Sequence, residues 1–193
     1  MKIFIDFDNT IVNTTHAFVC WYNAVYRDNV ESDDIIDYSF NPQIKLSQKE
    51  ITNAFTTELL YKYMYPYPGM YEALGRLKSI GCKLYIITNC SDKSVVRKIE
   101  WLEDNEYIKD LFSGKIFLSV GKAFDKSCID MSDAILIDDH RENHLKSNAK
   151  YKYAFKDHPN RNWYPTEEDG VKVFDSWKAI ADDIVKIVCQ NKE

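Results

Sequence analysis

Asp6 and Asp8 stand two positions apart, directly after the apolar run Ile3-Phe4-Ile5. Like charges this close repel unless a cation or a proton lies between them. An apolar strand that delivers such a pair to a sheet edge predicts a divalent metal and phosphate chemistry. Asp6 is then the candidate nucleophile toward a phosphoryl group, and Asp8 the candidate general acid and base. A second pair, Asp138-Asp139, follows the apolar run Ala134-Ile135-Leu136-Ile137. With Asp6 and the backbone carbonyl of Asp8 it supplies the oxygen ligands that Mg²⁺ prefers. Thr88-Asn89 follows Leu84-Tyr85-Ile86-Ile87. A hydroxyl and neighbouring N–H groups at a strand mouth, ahead of a helix, suit a phosphate oxygen. Lys122 and Lys126 are candidate cations to neutralise a phosphoryl group in transfer.

The elements that must position these groups can be read from periodicity. Residues 2–7, 83–88, 115–119 and 134–138 are short, continuous apolar runs, the pattern of parallel strands buried on both faces. Residues 151–155 offer a fifth. Between them, residues 69–80 end at Gly81, a helix stop. Residues 91–105 open on Ser91 and Asp92 as caps and carry Val95, Val96, Ile99 and Leu102 at helical spacing. This alternation predicts an α/β doubly wound parallel sheet, with its ligand crevice at the carboxyl ends of the strands.

Residues 13–67 break the rhythm. Helices are expected over 14–27 and 47–63, the second opened by the capping box Ser47-Gln48-Lys49-Glu50. Pro66, Pro68 and Gly69 mark the return, so residues 1–12 and 68–193 form the core. An insertion at this point overhangs the crevice as a lid. Residues 175–188 read as a final amphipathic helix.

With 193 residues, 45% of them hydrophobic and 28% charged, the chain has the composition of a globular enzyme with one complete core. A net charge of −5 favours a small anionic substrate over a polynucleotide. No stretch reaches the roughly 20 apolar residues of a membrane span, and Asp6 and Asp8 interrupt the first apolar run too soon for a signal peptide. Five scattered cysteines without C-x-x-C spacing point to free thiols and a cytoplasmic location. A homodimer is the default for an enzyme of this kind.

The set Asp6/Asp8/Thr10, Thr88, Lys126 and Asp138/Asp139 resembles the signature of the haloacid dehalogenase (HAD) superfamily of aspartyl-phosphate phosphatases. The insertion corresponds in position to that superfamily's helical C1-type cap, on a three-layer Rossmannoid core. Asp125-Lys126-Ser127-x-Ile129, Tyr67-Pro68-Gly69, Lys98-Ile99-Glu100-Trp101-Leu102, Asp157-His158-Pro159-Asn160 and Trp177 further resemble the 5′(3′)-deoxyribonucleotidases and their bacterial and phage relatives.

That likeness implies a Mg²⁺-dependent phosphatase for nucleoside monophosphates, deoxyribonucleoside ones foremost. It makes Asp6 the nucleophile and Asp8 the acid and base. It implies Thr88, Asn89 and Lys126 on the phosphate, with Lys126 preferred to Lys122, and Asp6, Asp8, Asp138 and Asp139 around the metal. Asn9 stands where Gly is common, and Thr14 where those enzymes carry an aromatic residue against the base. Competing readings are a sugar phosphatase, a polynucleotide 3′-phosphatase, or a phospho-Asp regulatory module without enzymatic activity. Of the cap aromatics, Phe18, Trp21, Tyr22, Tyr61, Tyr63 and Tyr65 could stack a base, but packing is the expected role of most. His16 is expected to be structural, His140 and His144 to cap or lie on the surface, and Cys90 to be sensitive to oxidation but not catalytic.

Overall fold

A computed structural model describes residues 1–40, 42–119 and 125–190. In chain order the elements are β1 (Lys2–Ile5), α1 (Thr14–Tyr26), α2 (Gln48–Ala54), α3 (Glu58–Tyr61), α4 (Met70–Ser79) and β2 (Lys83–Cys90). Then come α5 (Ser94–Asp104), α6 (Glu106–Lys109), β3 (Gly114–Ser119), β4 (Ala134–Ile137) and α7 (Arg141–Lys146). β5 (Tyr151–Phe155), β6 (Lys172–Phe174) and α8 (Trp177–Gln190) complete the set. Among the described residues six strands form one parallel sheet, ordered β3-β2-β1-β4-β5-β6. The chain leaves β1 toward β2 and β3, then returns to add β4 on its other side. The crevice therefore opens beyond the carboxyl ends of β1 and β4.

Alternate strand residues face two buried layers, which is why the strands read as unbroken apolar runs. Ile3, Ile5, Leu84, Ile86, Ile135 and Ile137 join the main core with α4 and α8. Phe4, Ile87 and Leu136 point the other way, onto Met131 and Ala149. Buried residues recur at helical spacing in α4 (Met70, Ala73, Leu74, Leu77) and α8 (Trp177, Ile180, Ala181, Ile184, Val188). The α/β three-layer expectation holds. Gly81, at φ 91, ends the α4 segment in the left-handed conformation that glycine adopts without steric cost, and its N–H donates to the Lys78 carbonyl.

Trp177 is fully buried and its indole N–H donates to the Thr10 carbonyl at 3.1 Å. Trp177→Phe leaves that carbonyl unpaired and a small void, so a loss of about 1–3 kcal/mol is expected in urea unfolding. An unchanged midpoint would show that the contact contributes nothing.

Several expected boundaries shift. β1 ends at Ile5 rather than at residue 7, although Asp6 N–H still donates to the Ile137 carbonyl at 2.9 Å. β2 instead runs on to Cys90, because its pairing with β3 continues to Ser119, so Thr88 and Asn89 lie within the strand. The helix expected over 47–63 is two helices, α2 and α3; the Ser47/Glu50 capping box is present. β6 was not expected; three residues are too few for a readable period. In α5 the apolar face is not the buried one: Val96 and Ile99 are 50% and 40% exposed, while Ser94, Lys98 and Leu102 are buried.

Candidate active site

Parallel register sets the acids side by side. Ile5 of β1 pairs with Ile137 of β4, so Asp6 and Asp138 leave the sheet at one level. Beyond Asp6 the chain turns sharply. Asn9 has φ 50, a left-handed conformation that Asn tolerates better than most residues. Its Oδ1 accepts from Thr15 N and Oγ1 at 2.9 and 3.0 Å, tying the turn to the start of α1. The exchange of the usual Gly for Asn thus brings its own anchor.

Lys126, in a 3₁₀ turn at Lys126–Cys128, is 1% exposed. Its ammonium donates to Asp6 Oδ1 and, at 2.5 Å, to Asp138 Oδ2. Asp138 also accepts from His140 N at 2.9 Å and from Asn143 Nδ2 at 3.0 and 3.1 Å. Asp139 Oδ2 accepts from the Trp163 indole at 2.7 Å. Asp6, Asp138 and Asp139 are buried and offer oxygens within 4.8 Å of one another. The preference for Lys126 agrees with this placement, whereas Lys122 lies outside the described residues.

Asp8 faces the other way. Its carboxylate accepts from Thr14 Oγ1 at 2.9 Å, from Lys98 Nζ, and from Thr88 Oγ1 at 3.5 Å. The side chain is therefore outside the three-carboxylate cluster. Thr88 is fully buried and accepts from Lys98 Nζ at 2.8 Å. The Asn89 carbonyl accepts from Lys98 at 3.3 Å, and its Oδ1 is buried without a partner.

Lys98 is the residue that the sequence reading did not single out. It is 2% exposed and its ammonium lies 5.0 Å from the centre of the Phe7 ring. Besides its place in the Lys98-Ile99-Glu100-Trp101-Leu102 resemblance, its signal is a position midway between Ser94 and Leu102, on the buried stripe of α5. A lysine on such a stripe reads as a surface residue until the stripe is seen to end over the acids.

Burial pushes the Asp6 carboxyl up to about 7 against the pull of Lys126, with Asp138 and Asp8 adding to the rise. Burial, then Asp138 and Asp6, hold Asp139 well above the carboxylate range. Burial also acts to raise Asp138, but Lys126, His144 and hydrogen bonds from Lys126 and Asn143 hold it below that range. For Lys126, burial opposes the charge and the two carboxylates override it, so the ammonium persists. Among the described residues four carboxylates meet two ammonium groups, a deficit of two positive charges once all are ionised. An all-oxygen donor set with that deficit fits a hard divalent cation.

A cavity of about 330 Å³ opens beside Asp8, Asn89 and Lys98. Tyr38, Phe40, Ile51 and Phe55 from the insertion also line it. Larger hollows of about 530 and 510 Å³ are lined by none of Asp6, Asp8, Asp138 and Asp139. Phe18, Trp21, Tyr22 and Tyr61 are buried in the core, as the packing reading expects, and neither Tyr63 nor Tyr65 lines the cavity. His16 is exposed. His140 Nδ1 accepts from Glu142 N at 3.3 Å, a capping role. His144, expected to cap or lie on the surface, is instead fully buried, with Nε2 2.9 Å from the Asp138 carbonyl. Cys90 lies on the cavity wall, where burial pushes its thiol up and away from the reactive thiolate.

A family model described as 5′ nucleotidase, deoxy (pyrimidine), cytosolic type C protein matches residues 1–190. The chain belongs to this family. As a 5′ nucleotidase family member it is a phosphoric monoester hydrolase. Its fold is that of the HAD superfamily. A predicted phosphatase from Clostridium acetobutylicum superposes with TM-score 0.68 at 17% identity, over 96% of this chain and 98% of that one. A HAD family hydrolase from Deinococcus radiodurans with bound phosphate and sodium gives 0.65 at 14%, over 96% and 95%. A predicted phosphoglycolate phosphatase from Haemophilus somnus gives 0.62 at 18%, over 96% of each chain. At these identities the likeness is one of fold. No curated protein matches the chain. No helix among the described residues is long and apolar enough to cross a membrane.

Proposed function

We propose that this 5′ nucleotidase family member hydrolyses nucleoside monophosphates, deoxyribonucleoside ones foremost, through an aspartyl-phosphate on Asp6, with Mg²⁺ bound. The observation that carries this reading is the division of the two motif acids. Asp6 faces Lys126, Asp138 and Asp139, while Asp8 faces Lys98 and the cavity walled by Tyr38, Phe40 and Phe55. Residues 13–67 act as the cap over the catalytic core of residues 1–12 and 68–193. Five cysteines, none in a disulfide, are in keeping with a cytoplasmic site of action.

In the first step an Asp6 oxygen bonds to phosphorus as the ester bond to the nucleoside breaks, and Asp8 gives its proton to the departing oxygen. In the second, Asp8 takes a proton from water, the water oxygen bonds to phosphorus, and the Asp6–phosphorus bond breaks to release phosphate. Lys126 holds Asp6 in place and offsets its charge. Thr88 and the backbone at Asn89 receive the phosphoryl oxygens. Mg²⁺ held by Asp6, Asp138, Asp139 and the Asp8 carbonyl would offset the phosphoryl charge when bound. Catalysis here is positioning plus electrostatic stabilisation.

Lys98 serves as a positioning residue for Asp8. Lys98→Met is expected to lower kcat by about 10²–10³ with little change in KM, read from initial rates. Equal kcat in the variant would remove Lys98 from the account. The substrate reading is tested by a panel of nucleoside monophosphates, all bases with both sugars, with sugar phosphates alongside and released phosphate as the readout. Activity on the panel should vanish on chelation and return with Mg²⁺. Fast hydrolysis of a sugar phosphate beside negligible rates on every nucleotide would overturn the substrate assignment and leave the phosphatase.

A further inference from the structure

The three clustered carboxylates are not held alike. Lys126 touches Asp6 and Asp138, and Asn143 and the His140 N–H add to Asp138. Among the described residues the hydrogen-bond donor to the Asp139 carboxylate is the Trp163 indole N–H alone, at 2.7 Å. Both residues are buried. A donor on Oδ2 leaves Oδ1 as the oxygen free to serve the cluster.

The indole is itself held from several sides. Its backbone carbonyl accepts from Arg141 N at 2.8 Å, two residues beyond Asp139. The Arg161 guanidinium lies 5.3 Å from the ring, fixed by Asp157 at 2.5 Å. The preceding residue, Asn162, belongs to the insertion's grip: its N–H donates to the Ile36 carbonyl at 2.9 Å and its Nδ2 to Asp37 Oδ2 at 2.9 Å. Tyr38, next in that loop, packs edge-on against Trp163 and His140, with centroids 5.7 and 4.7 Å apart. One short segment therefore touches Asp139 with one residue and grips the insertion with the residue before it.

We propose that Trp163 is the positioning residue of the cation site, and that the insertion's hold on Asn162 keeps the indole in place. The proposal rests on the reading of Asp139 as a cation ligand. Donors that orient metal-binding side chains are worth about 10- to 100-fold in metal affinity. Since among the described residues no lysine pairs with the Asp139 carboxylate, the loss should fall on its orientation rather than on charge balance.

Isothermal titration of the intact protein with Mn²⁺, in place of Mg²⁺, tests this without reference to activity. Trp163→Phe keeps the ring packing and removes the N–H, and its affinity is expected to fall about 10-fold or more. Asn162→Ala, which alters neither the indole nor any carboxylate but removes the hydrogen bond to Asp37 that steadies the indole, should weaken binding by a smaller factor. Affinity of Trp163→Phe within about two-fold of wild type would overturn the proposal while leaving the cation site standing. Should Trp163→Phe not fold, Asn162→Ala decides, and unchanged affinity there overturns it. A wild-type protein that binds no Mn²⁺ would overturn both this inference and the cation reading beneath it.

Discussion

Asp6→Asn is expected to lower kcat by about 10⁴-fold or more and to leave no phosphoenzyme to trap. The substitution keeps shape and volume, so the loss is chemical: an amide oxygen does not form the covalent bond that the first step needs. Stability should move the other way. Asp6 is buried beside Asp138 and Asp139, and burial already pushes its carboxyl up to about 7. Removing one of four neighbouring acids relieves desolvation and repulsion. The variant, measured without added metal, should therefore melt no lower than wild type. Loss of activity with intact melting assigns Asp6 to chemistry. Substantial turnover in Asp6→Asn would sink the nucleophile assignment.

Lys126→Met has the second large effect, on two readouts at once. The ammonium is 1% exposed and is shared by Asp6 and Asp138. Methionine matches the length of the side chain but leaves two buried carboxylates without their common partner. Breaking a buried ion pair from one side costs about 3–5 kcal/mol, a drop in melting temperature on the order of 10 °C for a chain of this size. Turnover should fall as well, since Asp6 loses the contact that holds its carboxylate. Thermal denaturation at low metal reads the first effect and initial rates the second. A variant with unchanged melting temperature would mean that the Lys126 contacts carry no net energy.

The strand ends were legible because their cause is local. A strand buried on both faces must be apolar throughout, so an acid at its end is conspicuous, and Asp6, Asp138 and Asp139 announce themselves. Helix faces were less legible. In α5 the apolar residues Val96 and Ile99 point outward and Lys98 inward, because the stripe that contacts the core ends over Asp8. Only the packing of α5 against the sheet decides that.

The cavity wall was hidden for a related reason. Tyr38 and Phe40 lie in a turn-rich segment without periodicity, while the helical aromatics Phe18 and Trp21 are absorbed by packing. Trp163 was also unreadable. It meets Asp139 only because the segment after β5 folds back over the start of α7, where Arg141 N donates to its carbonyl.

The opening pair, Asp6 and Asp8, gains two distinct surroundings from the structure. One acid belongs to the buried cluster with Lys126, and the other to the cavity with Lys98 and Thr14. That separation is the physical basis for giving them different roles, and trapping the intermediate tests it most directly. The wild-type protein is mixed with ³²P-labelled deoxyribonucleoside monophosphate and Mg²⁺, quenched in acid within the first turnover, digested and mapped. Label is expected on the peptide that contains Asp6, bound to Asp6 and released by hydroxylamine as an acyl phosphate is. Rapid turnover with no label, or label on any residue other than Asp6, would contradict the nucleophile assignment.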